Sequence, residues 1–454
     1  MGPALHRRRA RAGWRLIVLP ATALAIAGAT ATGAAAQARR RPASVPQPRS
    51  AATMGPQPPS VTLTLGDPRQ VLRPDQFGMN VPDMHTAVVQ GPAVCPRNSH
   101  RFCLYLTGVI GGARGLGSTA LLTTTDFERA TAYAAPSGVT QPIFRAPCRG
   151  ARTPLSCRLR FDSGYRGANL VFEVGGSWVM IYHGETRTFT SGSGPGAQSK
   201  AFPHTPAYAE VGLARSADGI HWDTGVAIVS GYDPKPSLQQ VSGLNGLYGT
   251  PEPGAIVATG GVYVFFPYIA SPGSADANQG VTIEAARARL ASLGTSGAGT
   301  WSKYTGGNSW TEPGLGGRGV AVVNTTGCTR PAQPWVGYTT GLRRYVMLVI
   351  CQEGWFFSSA TDLDREDWTP LTQVYTPQYH EFTNGKPTDD NFMLVSPGGS
   401  GATIGGSGDV LYAHDVAWGQ HPARRSLWYR PFTISLGVPQ RCPPPRPGQP
   451  NTCT

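Results

Sequence analysis

Aspartate recurs in this sequence inside a short phrase, in which hydroxyl-bearing residues precede the carboxylate. The phrase occurs as Thr124-Thr125-Asp126-Phe127, as Ser216-Ala217-Asp218-Gly219-Ile220-His221-Trp222, and as Ser359-Ala360-Thr361-Asp362-Leu363 with Trp368 behind it. Repeated carboxylates could act as general acids or bases. An Asp side chain also accepts hydrogen bonds from nearby backbone N–H groups and thereby fixes a turn. We therefore predict a structural role for the Asp of each phrase.

The cysteines are the second group with possible chemistry. Eight of them occur as four local pairs, which are Cys95 and Cys103, Cys148 and Cys157, Cys328 and Cys351, and Cys442 and Cys453. No pair has the Cys-x-x-Cys spacing of a zinc or redox site. An even number in an exported chain indicates disulfides, and although the sequence leaves the connectivity open, we predict nearest-neighbour pairing.

Motifs of several enzyme classes are absent from the sequence. It contains no Gly-x-Ser-x-Gly elbow, no phosphate-binding loop and no His-Glu-x-x-His helix. These absences disfavour serine hydrolase, nucleotide-binding and zinc-protease functions.

The N-terminal region predicts export. Five arginines precede an apolar run that is too short to span a membrane, so residues 1–38 are predicted to be a signal peptide. Residues 39–59 are rich in Pro and Arg and are predicted to be a disordered spacer. These two segments hold nine of the 39 basic residues and none of the 26 acidic ones, so the remaining 30 basic residues leave a net charge of only about +4. Nucleic acid is therefore not an expected partner.

Short β-rich runs separated by Gly, Pro, Asn and Ser dominate the rest of the chain, and long apolar stretches with a helical period are absent. Hairpins are predicted at residues 169–182, 254–268, 335–351 and 391–414. Third strands are predicted at residues 119–122, 209–215, 281–287, 354–358 and 426–432. This pattern indicates a repeated unit of about four strands.

The predicted fold is all-β, namely a five-bladed β-propeller with four-stranded antiparallel blades in residues 60–437. The blades are predicted near residues 75–140, 141–232, 240–305, 318–375 and 385–437. A pair of β-sandwiches would also contain many short strands, but the Asp phrase after the third strand favours blades. Residues 438–454 form a Pro-rich tail that carries the last Cys pair.

Several of these segments resemble the five-bladed β-propeller glycosidases, the superfamily of arabinanases, xylosidases, arabinofuranosidases and invertase-like enzymes. The outer-strand phrase Ala214 to Trp222 resembles theirs, as do the second strands Met180-Ile181-Tyr182-His183-Gly184-Glu185 and Val410-Leu411-Tyr412-Ala413-His414. The repeated order of the predicted blade strands is similar over nearly the whole mature chain. The resemblance implies a carbohydrate substrate or ligand.

The resemblance also implies three acidic residues at the propeller axis, where the inner strands of the first three blades begin. Asp83 matches the first, ahead of a strand at residues 102–107, and Glu252 matches the third. The matching second-blade position is Asn169, and Asp162 is the upstream carboxylate that could substitute for it. Glycoside cleavage needs one carboxylic acid and one carboxylate, which Glu252 and Asp83 would supply.

Other polar and aromatic residues lie near the ends of the predicted inner strands. One Asp of the Asp389-Asp390 pair would face the axis, where a hard cation such as calcium could bind, although an adjacent pair is also typical of a turn. The remaining candidates for contacts with a carbohydrate are Asn169, His183, Glu185, Tyr268, Trp335, Asp390 and His414.

Three functional hypotheses follow. The first is a secreted glycoside hydrolase-like propeller that cleaves a polysaccharide by carboxylate catalysis. The second is a non-catalytic propeller that binds a glycan or a surface, motivated by the amide at Asn169. The third is a six-bladed sialidase-like enzyme, which is disfavoured because the Asp phrase is one residue short and no arginine triad is evident. The sequence does not indicate an oligomeric state.

Overall fold

The structure is a computed structural model that describes residues 61–72, 79–90, 102–110, 117–125, 130–132, 142–148, 153–192, 197–203, 205–293, 298–376, 388–396, 399, 402–415 and 425–437. All of them belong to one compact unit, Pro58–Thr454. The predicted signal peptide, spacer and C-terminal tail lie outside the described residues. Among the residues described, no helix is both long and apolar enough to cross a membrane.

The described strands form five large sheets and one two-stranded sheet. Before the first blade come β1 (Val61–Leu65) and β2 (Arg69–Leu72). The first blade contains β3 (Met79–Gln90), β4 (Phe102–Ile110), β5 (Ser118–Thr124), β6 (Ala130–Ala132) and β7 (Pro142–Arg145). After the helix α1 (Leu155–Arg158), the second blade begins with β8 (Tyr165–Val174) and β9 (Ser177–Thr186). A small hairpin follows as β10 (Thr188–Thr190) and β11 (Ser199–Ala201), and the blade is completed by β12 (Ala207–Ser216), β13 (Val226–Val229) and, after α2 (Leu238–Val241), β14 (Leu247–Gly249).

The third blade contains β15 (Gly254–Ala258), β16 (Gly261–Tyr268), β17 (Thr282–Arg289), β18 (Ser302–Gly306) and β19 (Ser309–Pro313), with a 3₁₀ helix at Leu290–Leu293. The fourth contains β20 (Ala332–Thr339), β21 (Arg344–Cys351), β22 (Gly354–Ala360) and β23 (Thr372–Tyr375). The fifth contains β24 (Thr388–Val395), β26 (Ser407–Asp415) and β27 (Arg425–Leu436), while the short β25 (Thr403–Ile404) joins the fourth blade. The predicted all-β, five-bladed propeller is therefore confirmed.

The N-terminal strands complete the last blade. Strand β1 pairs antiparallel with β27, with Val61 opposite Leu436, and β2 pairs with the earlier part of β27. The fifth blade thus takes its outer strands from the other end of the described chain. The pairing of the N-terminal strands with β27 closes the ring of blades. The sequence did not indicate this pairing.

Five hydrophobic clusters hold the blades together, one between each pair of neighbours. Leu104 of the first blade, for example, lies in one cluster with Leu411 of the fifth. The other four clusters lie between blades one and two, two and three, three and four, and four and five. Because every blade is packed on both sides, the described strands form a closed ring.

The outer turns explain two of the Asp phrases. Oδ1 of Asp218 accepts hydrogen bonds from the backbone N–H groups of Ile220 and His221, at 2.9 and 2.8 Å. Asp362 accepts from the N–H of Asp364 at 2.8 Å. These contacts confirm the structural role predicted for the two residues, whereas Asp126 lies outside the described residues.

Two of the predicted disulfides are present, Cys148–Cys157 and Cys328–Cys351. Cys103 is also disulfide-bonded, but Cys95, Cys442 and Cys453 lie outside the described residues. The bond between Cys328 and Cys351 links the segment before β20 to the end of β21.

Candidate functional site

Four polar side chains from consecutive blades line one pocket where inner strands meet. They are Asn169 of the second blade, Glu252 just before β15, Gln333 of the fourth blade and Asn391 of the fifth. The pairing of the inner strand with its neighbour is irregular at Asn169, Gln333 and Asn391. Such bulges turn a side chain away from its usual direction.

Three of these residues share an unusual backbone conformation. Glu252, Gln333 and Asn391 have φ angles of 50°, 49° and 51°, in the left-handed region that favours glycine. Pro253 and Pro334 follow the first two, and a proline further restricts the residue before it. Local contacts must therefore stabilise these positions.

A chain of hydrogen bonds joins the four residues from blade to blade. Oδ1 of Asn169 accepts from the backbone N–H of His183 at 3.0 Å, and Nδ1 of His183 accepts from the backbone N–H of Glu252 at 2.7 Å. Nε2 of Gln333 donates to Oε1 of Glu252 at 3.2 Å, and Oε1 of Gln333 accepts from the N–H of Asn391 at 2.7 Å. The chain therefore connects the second blade to the fifth.

His183 is fully buried, and its second ring nitrogen also contacts a protein group. Nε2 lies 2.9 Å from Oε1 of Glu185, and Nη2 of Arg187 donates to Oε2 of Glu185 at 3.0 Å. Burial raises the pKa of Glu185, but the guanidinium of Arg187 and the contact with His183 outweigh it and lower the pKa to about 2. Glu185 is thus an ionised acceptor for His183 and Arg187.

The pocket is small, with a volume of about 30 Å³. This is room for about two water molecules, or for one or two hydroxyl groups. Trp335 also lines the pocket, and its predicted contact with a carbohydrate stays a prediction. A Cβ on Gly254 would lie 2.0 Å from the carbonyl oxygen of Pro334, so only glycine lets the third and fourth blades approach this closely here.

Asp162 is surrounded by partners from its own blade. Its carboxylate is fully buried, and it pairs with Arg166 at 2.6 Å and with Arg160 at 3.2 Å. Tyr182 donates its hydroxyl hydrogen to Oδ2 at 2.8 Å. Asp162 does not line the axial pocket, and its suggested catalytic role stays a prediction.

The Asp389-Asp390 pair belongs to β24, and the two side chains have different surroundings. Oδ1 of Asp389 lies 2.7 Å from Nδ1 of His414, and Oδ2 accepts the hydroxyl hydrogen of Tyr375 at 2.9 Å. The side chain of Asp390 is buried beside the pocket residue Asn391, whose Nδ2 donates to Oδ1 of Asp390 at 3.4 Å. Asp390 is thus the member of the pair that lies beside a pocket residue, and its role at the axis stays a prediction.

Asp83 and Tyr268 are the two remaining candidates. Asp83 lies within β3, which is the innermost strand of its blade, and the strand at residues 102–110 is the second one. The pairing of β3 shifts between Pro82 and Thr86, but the side chain of Asp83 lies outside the described residues. Tyr268 ends β16 and donates to Oδ2 of Asp233 at 2.7 Å.

A cation at the axis would need several oxygen ligands. The described residues contain no group of three or more His, Cys, Asp or Glu side chains arranged to hold a metal ion. The calcium ion that the sequence suggested at the axis therefore stays a prediction.

Sequence reasoning missed Gln333 and Asn391. A signal for Gln333 was available, because Pro251-Glu252-Pro253 and Pro331-Ala332-Gln333-Pro334 both place a long polar side chain before a proline at the start of an inner strand. No comparable signal marks Asn391, which follows the more conspicuous Asp pair.

Comparison with known proteins gives structural similarity only. No family model matches the sequence, and no curated protein matches it. The catalytic domain of the Coprinopsis cinerea GH62 alpha-L-arabinofuranosidase is 11% identical, with 82% of this chain and 96% of that one covered at a TM-score of 0.43. A family 117 glycoside hydrolase from the marine bacterium Zobellia galactanivorans is 9% identical, with 83% of this chain and 91% of that one covered at a TM-score of 0.44.

An alpha-L-arabinofuranosidase from Lactobacillus brevis is 10% identical, with 80% of this chain and 94% of that one covered at a TM-score of 0.44. Because these scores are below 0.5, the five-bladed fold rests on this chain's own sheets and blade contacts. The five-bladed fold that the resemblance implied is present in this chain.

Proposed function

We propose that this chain is an exported glycoside hydrolase-like propeller that cleaves glycosidic bonds in a polysaccharide at the axial pocket. Glu252 serves as the acid and Asp83 as the base, in line with the pair of carboxyl groups that glycoside cleavage needs. The observation that carries the proposal is the position of Glu252. Glu252 lines the axial pocket, its carboxylate accepts a hydrogen bond from Gln333 of the fourth blade, and its backbone N–H donates to His183 of the second.

The polar groups of the pocket support a carbohydrate as the ligand. Amide side chains can both donate to and accept from sugar hydroxyls, and three of them surround Glu252. The volume of the pocket suits a hydroxyl or two, so a sugar would insert one edge beside Trp335. Export is supported by the disulfides, which form and persist in oxidising compartments.

The test is sugar release from a panel of plant and microbial polysaccharides, measured chromatographically for the wild type, E252Q and D83N. E173Q is the matched control because Glu173 is exposed at the end of β8. The proposal expects both site variants to lose most of the activity while E173Q retains it. Full activity in E252Q and D83N would refute the assignment.

A second candidate is a non-catalytic propeller that binds a glycan. It is favoured by the amides at three of the four inner-strand positions and by the ion pairs that engage Asp162. Binding on a glycan array, with no sugar released from the bound glycan during a long incubation, would support this candidate over the hydrolase.

A further inference from the structure

His183 contacts the backbone of Glu252. The N–H of Glu252 points at Nδ1 of His183 over 2.7 Å. Since a backbone N–H can only donate, Nδ1 must carry a lone pair and no hydrogen. The ring hydrogen of the neutral imidazole is therefore on Nε2.

Glu185 stabilises this tautomer from the other side of the ring. Its Oε1 lies 2.9 Å from Nε2 of His183, and the carboxylate is held by Arg187. An ionised carboxylate only accepts hydrogen bonds, so Nε2 must donate. Tyr165 packs edge-on against the imidazole at 5.3 Å between ring centroids, and the His183 side chain has no exposed surface.

The backbone conformation of Glu252 is energetically unfavourable, so its N–H needs a hydrogen-bond acceptor such as His183. A non-glycine residue with a φ of 50° costs free energy, and the following Pro253 narrows its choices further. A buried acceptor for its N–H offsets part of this cost. The same conformation places the Glu252 side chain in the axial pocket with Gln333.

We propose that His183 is a positioning residue for Glu252, which in its neutral Nε2–H form holds the Glu252 backbone in the left-handed conformation and aims the carboxylate into the pocket. The effect on activity rests on the proposed function, whereas the tautomer and the backbone contact do not. His183 itself contacts no substrate in this account.

The structural part is tested by NMR on wild-type protein labelled with ¹⁵N histidine, with the His183 signals assigned from their loss in H183N. At neutral pH, we expect an unprotonated Nδ1 and a protonated Nε2 at this residue. A protonated Nδ1 at neutral pH would overturn the proposal, whether or not a substrate has been found.

Two variants separate the two contacts of the ring. Asn at position 183 can place its Oδ1 near the position of Nδ1 and still accept from Glu252, whereas Gln reaches the position of Nε2 and keeps only the contact with Glu185. We expect H183Q to lose about tenfold to a hundredfold in kcat/KM, the range for a lost buried hydrogen bond. H183N should lose much less, because its side-chain oxygen still accepts the hydrogen bond from Glu252.

H221N is the control, because His221 is exposed on an outer turn. If E252Q is inactive but H183Q equals the wild type, the positioning role is wrong and the proposed function stands. If E252Q is fully active, the proposed function fails, and the NMR result alone decides whether His183 holds the backbone.

Discussion

The side-chain amide of Gln333 donates a hydrogen bond from Nε2 to Oε1 of Glu252 over 3.2 Å, and thereby links the fourth blade to the third. The orientation of this amide is fixed, because its own Oε1 accepts the N–H of Asn391 at 2.7 Å. One uncharged side chain thus determines which group faces the carboxylate at the axis. Sequence inspection did not single it out.

Removal of the Gln333 amide should destabilise the protein. In Q333A, the buried N–H of Asn391 loses its acceptor, which costs about 1–3 kcal/mol. Urea unfolding at neutral pH measures this change, with Q239A as the control because Gln239 is exposed on α2. Equal stability of Q333A and Q239A would show that Gln333 is not needed to satisfy Asn391.

The role of Asp162 can be separated from catalysis by its effect on stability. In D162N, the buried guanidinium of Arg166 loses its counter-charge, and the free energy of unfolding should fall by about 3–5 kcal/mol. R365A is the comparison, because the pair of Arg365 and Asp362 is exposed and should contribute less than about 1 kcal/mol. A D162N protein with unchanged stability and lost activity would instead place Asp162 in the reaction.

The stability of the protein should depend on pH through Glu284. Burial raises the pKa of Glu284 to about 7, and Asp276 adds to this, while Lys303 and Arg318 act in the opposite direction. The folded state therefore holds a proton that the unfolded chain releases near the ordinary value of 4.5. Stability should fall as the pH rises from about 4.5 through about 7.

The side chain at position 284 is uncharged at every pH in E284Q, so this variant should not lose stability as the pH rises through about 7. We expect it to be more stable than the wild type at pH 8, by about 1–3 kcal/mol, and to show little gain near pH 4. Urea midpoints at the two pH values measure the difference, and E173Q, altered at an exposed carboxylate, should show no such trend. An equal effect of E284Q at both pH values would contradict the assignment.

The Cys328–Cys351 disulfide should stabilise the fold more than Cys148–Cys157 does. The sequence separations are 23 and 9 residues, and a longer closed loop restricts the unfolded chain more strongly. Replacing both cysteines by serine should cost about 2–4 kcal/mol for the first bond and less for the second. Chemical unfolding of the two double variants gives the comparison, and a reversed order would contradict the loop-length explanation.

The sequence predicted the parts of the fold that repeat. Hairpin periodicity and the Asp phrase gave five blades, and both Asp218 and Asp362 lie in outer turns as expected. The pairing of β1 with β27 was not predictable, because no local pattern records which distant strand edge is open.

The candidate site was predicted in part. Glu252, Asn169 and Trp335 do share one pocket. The contact between His183 and Glu252 spans 69 positions in the chain and uses a backbone N–H, so it could not be predicted from a pattern of side chains. The left-handed backbone at Gln333 and Asn391 is likewise a consequence of packing between blades.

The central claim, that the axial pocket around Glu252 holds the glycan, is tested most directly by a crystal structure of E252Q soaked with the polysaccharide fragment that the wild type cleaves or binds. The account predicts sugar density at the axis, with hydroxyls within hydrogen-bonding distance of Asn169, Gln333 or Asn391 and the ring near Trp335. Ordered sugar elsewhere on the propeller, with only solvent at the axis, would contradict it.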